Sequence, residues 1–305
     1  MPPKPAAPPP PPEAIPVAPT EDAWRAMSPA ERERLLDKIL DVLSDPRAAM
    51  SEGRPHKKAK TKTLDVLGLH FGALGRVVYL AEEMAVLYPG KEVFTPDVLA
   101  VLDVPEPEDD QRMAWVVADE GKGLDLVLEV LHHGDRKKDL ADNVERYADL
   151  GIPEYFVYDR AQQAIRGFRL PAPGAKRYLP ILAQGGRYHS VVLGIDLAVE
   201  GDTLRFYHGM SELIGSAELI RRLTTMIDAR GAKADQANAR AERAIAGLHA
   251  SILAILAARG LAVSDALRDR IHACDDPDTL QRWLLRALDA SQAEDVTAPS
   301  STIPR

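Results

Sequence analysis

The run Asp125-Leu126-Val127-Leu128-Glu129-Val130-Leu131 constrains the fold more than any other part of the chain. Apolar residues occupy successive positions, so the strand it predicts is covered on both faces, as in a sheet with layers on either side. Glu129 stands in the middle of it. An unpartnered carboxylate in such a place costs several kcal/mol or gives up its charge. Glu129 therefore requires a partner: a cation, a metal ion or a proton. An arginine from a neighbouring helix would meet that need structurally, and this reading stands beside a functional one.

The surroundings of this strand predict a mixed α/β domain over residues 48–210, with a mixed central sheet flanked by helices. His56 to Phe71 reads as a helix with Leu64, Leu67 and Phe71 on one side. Val77–Tyr79, Met84–Tyr88, Asp97–Leu102, Met113–Ala118 and Leu124–Leu131 read as strands. Leu140–Leu150 reads as a helix closed by Gly151. Glu154–Tyr158 and Ala164–Leu170 are strands, with shorter ones around Arg177–Leu182 and Leu204–Tyr207. Before the domain, residues 1–20 hold ten of the 24 prolines and predict a disordered, polyproline-like tail. Residues 21–47 form an N-terminal helical segment that starts at the capping box Ser28-Pro29-Ala30-Glu31. Residues 216–290 read as a helical module. It comprises Glu218–Met226, Ala232–Arg243, Ala244–Arg259, a helix capped by Ser264 and one begun by Asp276-Pro277. Leu248, Ile252, Ile255, Leu280, Trp283 and Leu284 predict either a small packed helical unit or self-association. Residues 291–305 read as a loose tail.

Composition narrows the function classes. With 46% hydrophobic and 28% charged residues in 305, the chain can build a core. A formal net charge of −8 excludes a wholly basic nucleic-acid binder but not a nuclease, whose phosphate-facing surface alone must be basic. The single cysteine, Cys274, excludes an intrachain disulfide and a cysteine-built zinc site. No uninterrupted apolar run reaches the ~18 residues of a membrane span. The proline-rich start lacks the pattern of a secretory signal. A cytoplasmic protein without a membrane partner is the expectation. The phosphate-loop, nucleophile-elbow and H-E-x-x-H patterns are absent.

Asp97 is a second carboxylate of interest. Pro96 holds an extended backbone before it and Val98–Leu102 follows. A turn aspartate would serve there equally. Two carboxylates at the ends of neighbouring strands are also what a hard cation such as Mg²⁺ takes, with water and phosphate oxygens completing its shell. Asp125 shares the strand face of Glu129 by alternation, and either supports the site or solvates the strand entrance. Trp115 reads as core rather than as a base-stacking platform.

Thr95-Pro96-Asp97-Val98, Leu126-Val127-Leu128-Glu129-Val130, a charged helix ending in Tyr147, and Gly151-Ile152-Pro153-Glu154-Tyr155-Phe156-Val157-Tyr158-Asp159 together resemble the Uma-two family. Its members are restriction-endonuclease-like proteins of the PD-(D/E)XK nuclease superfamily. His56 and Leu193-Gly194-Ile195-Asp196-Leu197 belong to the same resemblance, which covers roughly residues 48–210. It implies an α/β core in which an acidic pair binds Mg²⁺ (or Mn²⁺) and a lysine helps activate water to hydrolyse phosphodiester bonds in DNA. Asp97 and Glu129 would then be the metal ligands, with His56, and Glu52 before it, at the first-helix edge of the site.

The lysine departs from the pattern. The superfamily position two residues after the second acid is Leu131. The family's alternative on the next helix, D-x-x-x-K-x-x-x-Y, reads Asp139…Asn143…Tyr147 here. These three share a helix face, but asparagine brings no charge. Arg136, Lys137 and Lys138 could substitute for the lysine or form a solvated charge run. His132 and His133 follow the strand that carries Glu129, and at most one would face a metal. Arg54, Lys57, Lys58, Lys60 and Lys62 form the densest cationic patch; phosphate contact and a plain exposed helix face are both readings of it. Three functions follow: a Mg²⁺-dependent endonuclease, a nuclease fold that binds DNA or protein without hydrolysis, and an interaction protein acting through its C-terminal helices.

Overall fold

The computed structural model describes residues 14–44, 53–104, 111–131 and 138–298. The chain divides into two compact units, one ending at Leu219 and the other beginning at Ile220.

The first unit opens with α1 (Glu21–Ala26), capped by Thr20, and α2 (Pro29–Leu43), which carries the Ser28–Glu31 capping box. Next come α3 (Arg54–Leu74), β1 (Val78–Glu82), β2 (Ala85–Leu87), β3 (Val98–Leu102), β4 (Ala114–Val116), α4 (Val117–Glu120) and β5 (Leu126–Leu131). A π turn at Lys138–Asp142 leads into α5 (Asn143–Leu150). Gly151, at φ 78°, ends α5 in the left-handed region that a side chain would strain. After it run β6 (Glu154–Asp159), β7 (Ala164–Arg169), β8 (Leu179–Ile181), β9 (Tyr188–Ser190), β10 (Ile195–Glu200), β11 (Thr203–His208) and β12 (Ser211–Glu212).

The main sheet has the order β1-β3-β5-β6-β7-β8. Only β5 and β6 run parallel within it, and α5 supplies the crossover that parallel neighbours require. Every residue of β5 is buried because both faces are covered. On one face Val66, Leu67 and Phe71 of α3 pack on Val98, Ala100, Leu126 and Leu128, joined by Ile195, Leu197, Leu204 and Phe206 of the sheet β12-β11-β10-β9. On the other, Tyr147 and Ala148 of α5 pack on Leu99, Val101 and Val127, with Trp115 fully buried beside them. Burial of each large apolar side chain contributes ~1.5–3 kcal/mol. The fully buried Glu154 carboxylate takes hydrogen bonds from Arg169, from Ser190 Oγ at 2.5 Å and from the Val191 N–H at 3.0 Å. It thereby links the two sheets, as a buried charge must be satisfied.

Some elements differ from expectation for identifiable reasons. The proline-rich tail was expected to be free through residue 20; residues 1–13 lie outside the described residues, but Pro16–Pro19 line the edge at Gly90–Val93. Proline lacks a donor yet keeps its carbonyl: Pro16 O accepts from Val93 N–H at 2.9 Å, and Pro19 O from Gly90 N–H at 3.0 Å. The Met113–Ala118 strand is shorter, since its end turns into α4. The short strands β9 and β12 and the six-residue β10 lie outside the runs that patterning picks out as strands. The N-terminal segment is two helices, and their Trp24 and Ile39 cover Ala85, Leu87, Ala114 and Val116 of the parallel pair β2 and β4.

The second unit contains most of α6 (Ser216–Ala258), a single helix where the sequence suggested three segments, then α7 (Asp265–His272) and α8 (Pro277–Asp289). Alanine fills the weak middle of α6, and alanine favours an unbroken helix. Ile252 and Leu256 pack on Leu267, Ile271 and Leu280, with Leu248, Ile255, Trp283 and Leu284 against them. Where a loose tail is expected from residue 291, Ala293 and Val296 are buried in a 3-10 turn over Ala293–Thr297; residues 299–305 lie outside the described residues. Although it contains no uninterrupted apolar run of membrane length, α6 is long and apolar enough over part of its course to cross a membrane.

Candidate active site

The main sheet places Asp97 and Glu129 side by side. In the β3–β5 ladder Val98 faces Leu128, so Asp97, one residue before β3, stands opposite Glu129. Alternation points both toward the layer that holds Leu99, Val127 and Tyr147. Each carboxylate accepts an N–H from the other's strand. Asp97 N–H donates to Glu129 Oε2 at 3.2 Å, and Val130 N–H donates to Asp97 Oδ2 at 2.7 Å. Tyr147, on α5, donates its hydroxyl to Glu129 Oε1 at 2.7 Å.

Helix α3 approaches Asp97 Oδ1, the remaining oxygen. His56 Nε2 lies 3.4 Å away and Lys60 Nζ 3.5 Å away, one helical turn apart. Lys60 also donates to Glu83, which sits in the turn between β1 and β2 with φ 54°. The Lys60 side chain is 1% exposed. The expectation of an exposed lysine face therefore fails at Lys60, while Lys57 and Lys58 are exposed and Lys62 is half-buried. Burial, with Arg205 and Lys58 nearby, lowers the Lys62 pKa. The sequence did contain a signal for Lys60. Lys60, Thr63, Leu67 and Phe71 follow helical spacing, and all four are buried.

Electrostatics separate the two acids. Burial, followed by the charge of Asp97, pushes the Glu129 pKa up to about 8, although the Tyr147 hydroxyl opposes the shift. Asp97 is held below the usual range: burial works against its charge, but His56, the Val130 N–H and Lys60 outweigh it. At neutral pH one carboxyl of the pair is thus charged and the other favours its proton.

Asn143 is buried, and its Nδ2 donates to Asp139 Oδ1 at 3.2 Å. Tyr155 donates to the Asp139 carbonyl at 2.8 Å. Asp139 also raises the Glu129 pKa, which sets it close to the pair. Asp125 is elsewhere, at the entrance of β5, where it accepts from Leu102 N–H and pairs with Lys122. Lys138 is exposed. Glu52, His132, His133, Arg136 and Lys137 lie outside the described residues.

Among the described residues, no group of three or more His, Cys, Asp and Glu side chains assembles into a metal cage. The Asp97–Glu129 pair nevertheless fits a hard divalent cation of the Mg²⁺ type, which takes one or two protein carboxylates and fills the rest of its shell with water and phosphate oxygens. A cation held by the two acids would offset both the burial penalty and the repulsion by Asp97 that raise the Glu129 pKa.

The family model Uma2, described as "Putative restriction endonuclease", matches residues 46–200 of the 305. The crystal structure of "a putative nuclease belonging to DUF820" from Anabaena variabilis is similar at 13% identity and a TM-score of 0.40, covering 50% of this chain and 82% of that one. No curated protein matches the chain. The family match spans just over half the chain and includes Asp97, Glu129 and α5, and the protein belongs to the Uma2 (Uma-two) family.

Proposed function

We propose that the protein is an endonuclease that hydrolyses phosphodiester bonds in DNA with a divalent cation, Mg²⁺ or Mn²⁺. The observation that carries this reading is the pair of cross-strand carboxylates Asp97 and Glu129 on one sheet face, Asp97 half-buried and Glu129 buried and driven toward its protonated form. Asp97 and Glu129 would hold the ion, which when bound supplies a Lewis acid for the phosphate and a lowered pKa for water. Tyr147 orients Glu129, and the Val130 N–H orients Asp97. His56 borders the same Asp97 oxygen. Lys57 and Lys58, exposed on the helix that carries His56, supply charge for backbone phosphates. Membership of a family described as restriction endonucleases supports DNA as substrate.

The test is cleavage of linear and supercoiled DNA with Mg²⁺, Mn²⁺ or a chelator, comparing the native protein with Glu129→Gln. Metal-dependent cleavage that falls at least about a hundredfold in the variant is expected. Equal cleavage by both proteins overturns the assignment of Glu129. A second reading, DNA binding without hydrolysis, is favoured by Asn143, whose uncharged side chain is engaged by Asp139 where the family pattern has lysine. Binding without cleavage under every metal condition selects it.

A further inference from the structure

The lysine that Asn143 replaces has a counterpart on α3. Lys60 is 1% exposed at its side chain, and a lysine ammonium is retained in such a place only when anions face it. Among the described residues, Asp97 of the acidic pair and Glu83 do so. Glu83 is 53% exposed at its side chain, so its carboxylate remains hydrated while it bonds Lys60. Its backbone occupies the left-handed region, which glutamate seldom adopts. That backbone is tied to the site, because the Glu83 N–H donates to the carbonyls of Pro96 at 3.2 Å and Asp97 at 3.4 Å. Glu83 thus neutralises a buried ammonium from a carboxylate that stays hydrated and from a backbone conformation that costs energy, so a second anion can take its place at little cost. What its carboxylate presents to Lys60 is a half-exposed oxyanion that shares the ammonium with Asp97.

We propose that Lys60 is the phosphate-binding cation of this site, and that the Glu83 carboxylate is its resident counterion, occupying the place that a phosphate oxygen of nucleic acid takes on binding. The proposal rests on the phosphodiester reading above. Phosphate replaces carboxylate as the partner of the ammonium, and Glu83 turns to solvent, where half of its side chain already lies. In the hydrolysis, a P–O bond forms to the water oxygen and the P–O bond to the leaving sugar oxygen breaks. The water's proton ends on that sugar oxygen, so water and the diester are the only reactants. Lys60 offsets charge on the phosphate oxygens. The lysine function thus reaches the acids from the first helix, and Asn143 need not supply it.

The experiment measures binding of a short duplex DNA to the full-length protein by fluorescence anisotropy, with metal chelated. Removal of the competing carboxylate in Glu83→Gln should tighten binding about threefold or more, and Lys60→Met should weaken it about tenfold. In the double variant the Glu83→Gln gain should vanish, because the two residues act as a pair. Lys60→Arg should retain binding; with Glu83→Gln, it decides the matter if Lys60→Met melts far below the native protein. Unchanged or weaker binding by Glu83→Gln, native-like binding by a folded Lys60→Met, or no binding by the native protein overturns the proposal. Cleavage with Mg²⁺ or Mn²⁺ is scored separately. If the native protein binds with this pattern and never cleaves, the hydrolytic reading fails and the Lys60–Glu83 assignment stands.

Discussion

At the residue scale, Glu129 sets the pH behaviour. Its folded pKa is raised from the ordinary 4.5 to about 8, so between those values the folded chain holds a proton that the unfolded chain releases. Its stabilising contribution is complete below pH 4.5 and is lost as the pH rises toward 8. Asp97 acts in the opposite sense: its lowered pKa gives stability that is present above the ordinary value of 3.8 and is lost as the pH falls through the folded value. The metal-free protein should therefore show a Tm that declines from about pH 5 to pH 8, and Glu129→Gln should flatten that decline. Added Mg²⁺ should restore Tm most at the high-pH end, because binding requires the deprotonated carboxylate. A Glu129→Gln profile parallel to that of the native protein would show that the slope arises elsewhere. Tyr147→Phe removes one hydrogen bond to the same carboxyl and should cost about 1–3 kcal/mol in urea unfolding.

At the element scale, β5 carries Glu129 opposite the start of β3, and β7, beyond β6 in the same sheet, depends on a close approach. A Cβ at Gly167 would lie 2.7 Å from Phe156 Cε1 and 3.1 Å from Ile181 Cδ1, inside a sheet with little room to give. Gly167→Ala should destabilise the first unit by about 1–3 kcal/mol, read as a lower urea midpoint with unchanged slope. Such patterning was legible for β5, whose apolar run required two covering layers. It was not legible for β9 or β12, which are short and partly exposed, so they leave no apolar run to read. The π turn before α5 was equally hidden, because Lys138–Asp142 has an ordinary helical composition.

At the scale of the whole molecule, the change from strands to helices near residue 216 was visible in composition, but its exact position depends on a contact 151 residues away. Ser216 donates its N–H to Asp65 Oδ2 at 2.9 Å and its hydroxyl to Asp65 Oδ1 at 2.5 Å. A chain ending after Leu219 should retain the stability of the first unit, whereas one ending after Leu213 should lose about 1–3 kcal/mol, measured by thermal and urea unfolding. Equal stability of the two would show that this contact is immaterial. By itself the sequence determined that a strand buried on both faces carries a glutamate, that Asp97 opens another strand, and that Asp139, Asn143 and Tyr147 follow one helix. Those are local facts of periodicity and residue type. Only the tertiary structure decided that Lys60, on the inward stripe of its helix, meets Asp97 and Glu83, 37 and 23 residues away. A charge enters a core only where opposite charge awaits it, and strand pairing across that distance is what puts the carboxylates there.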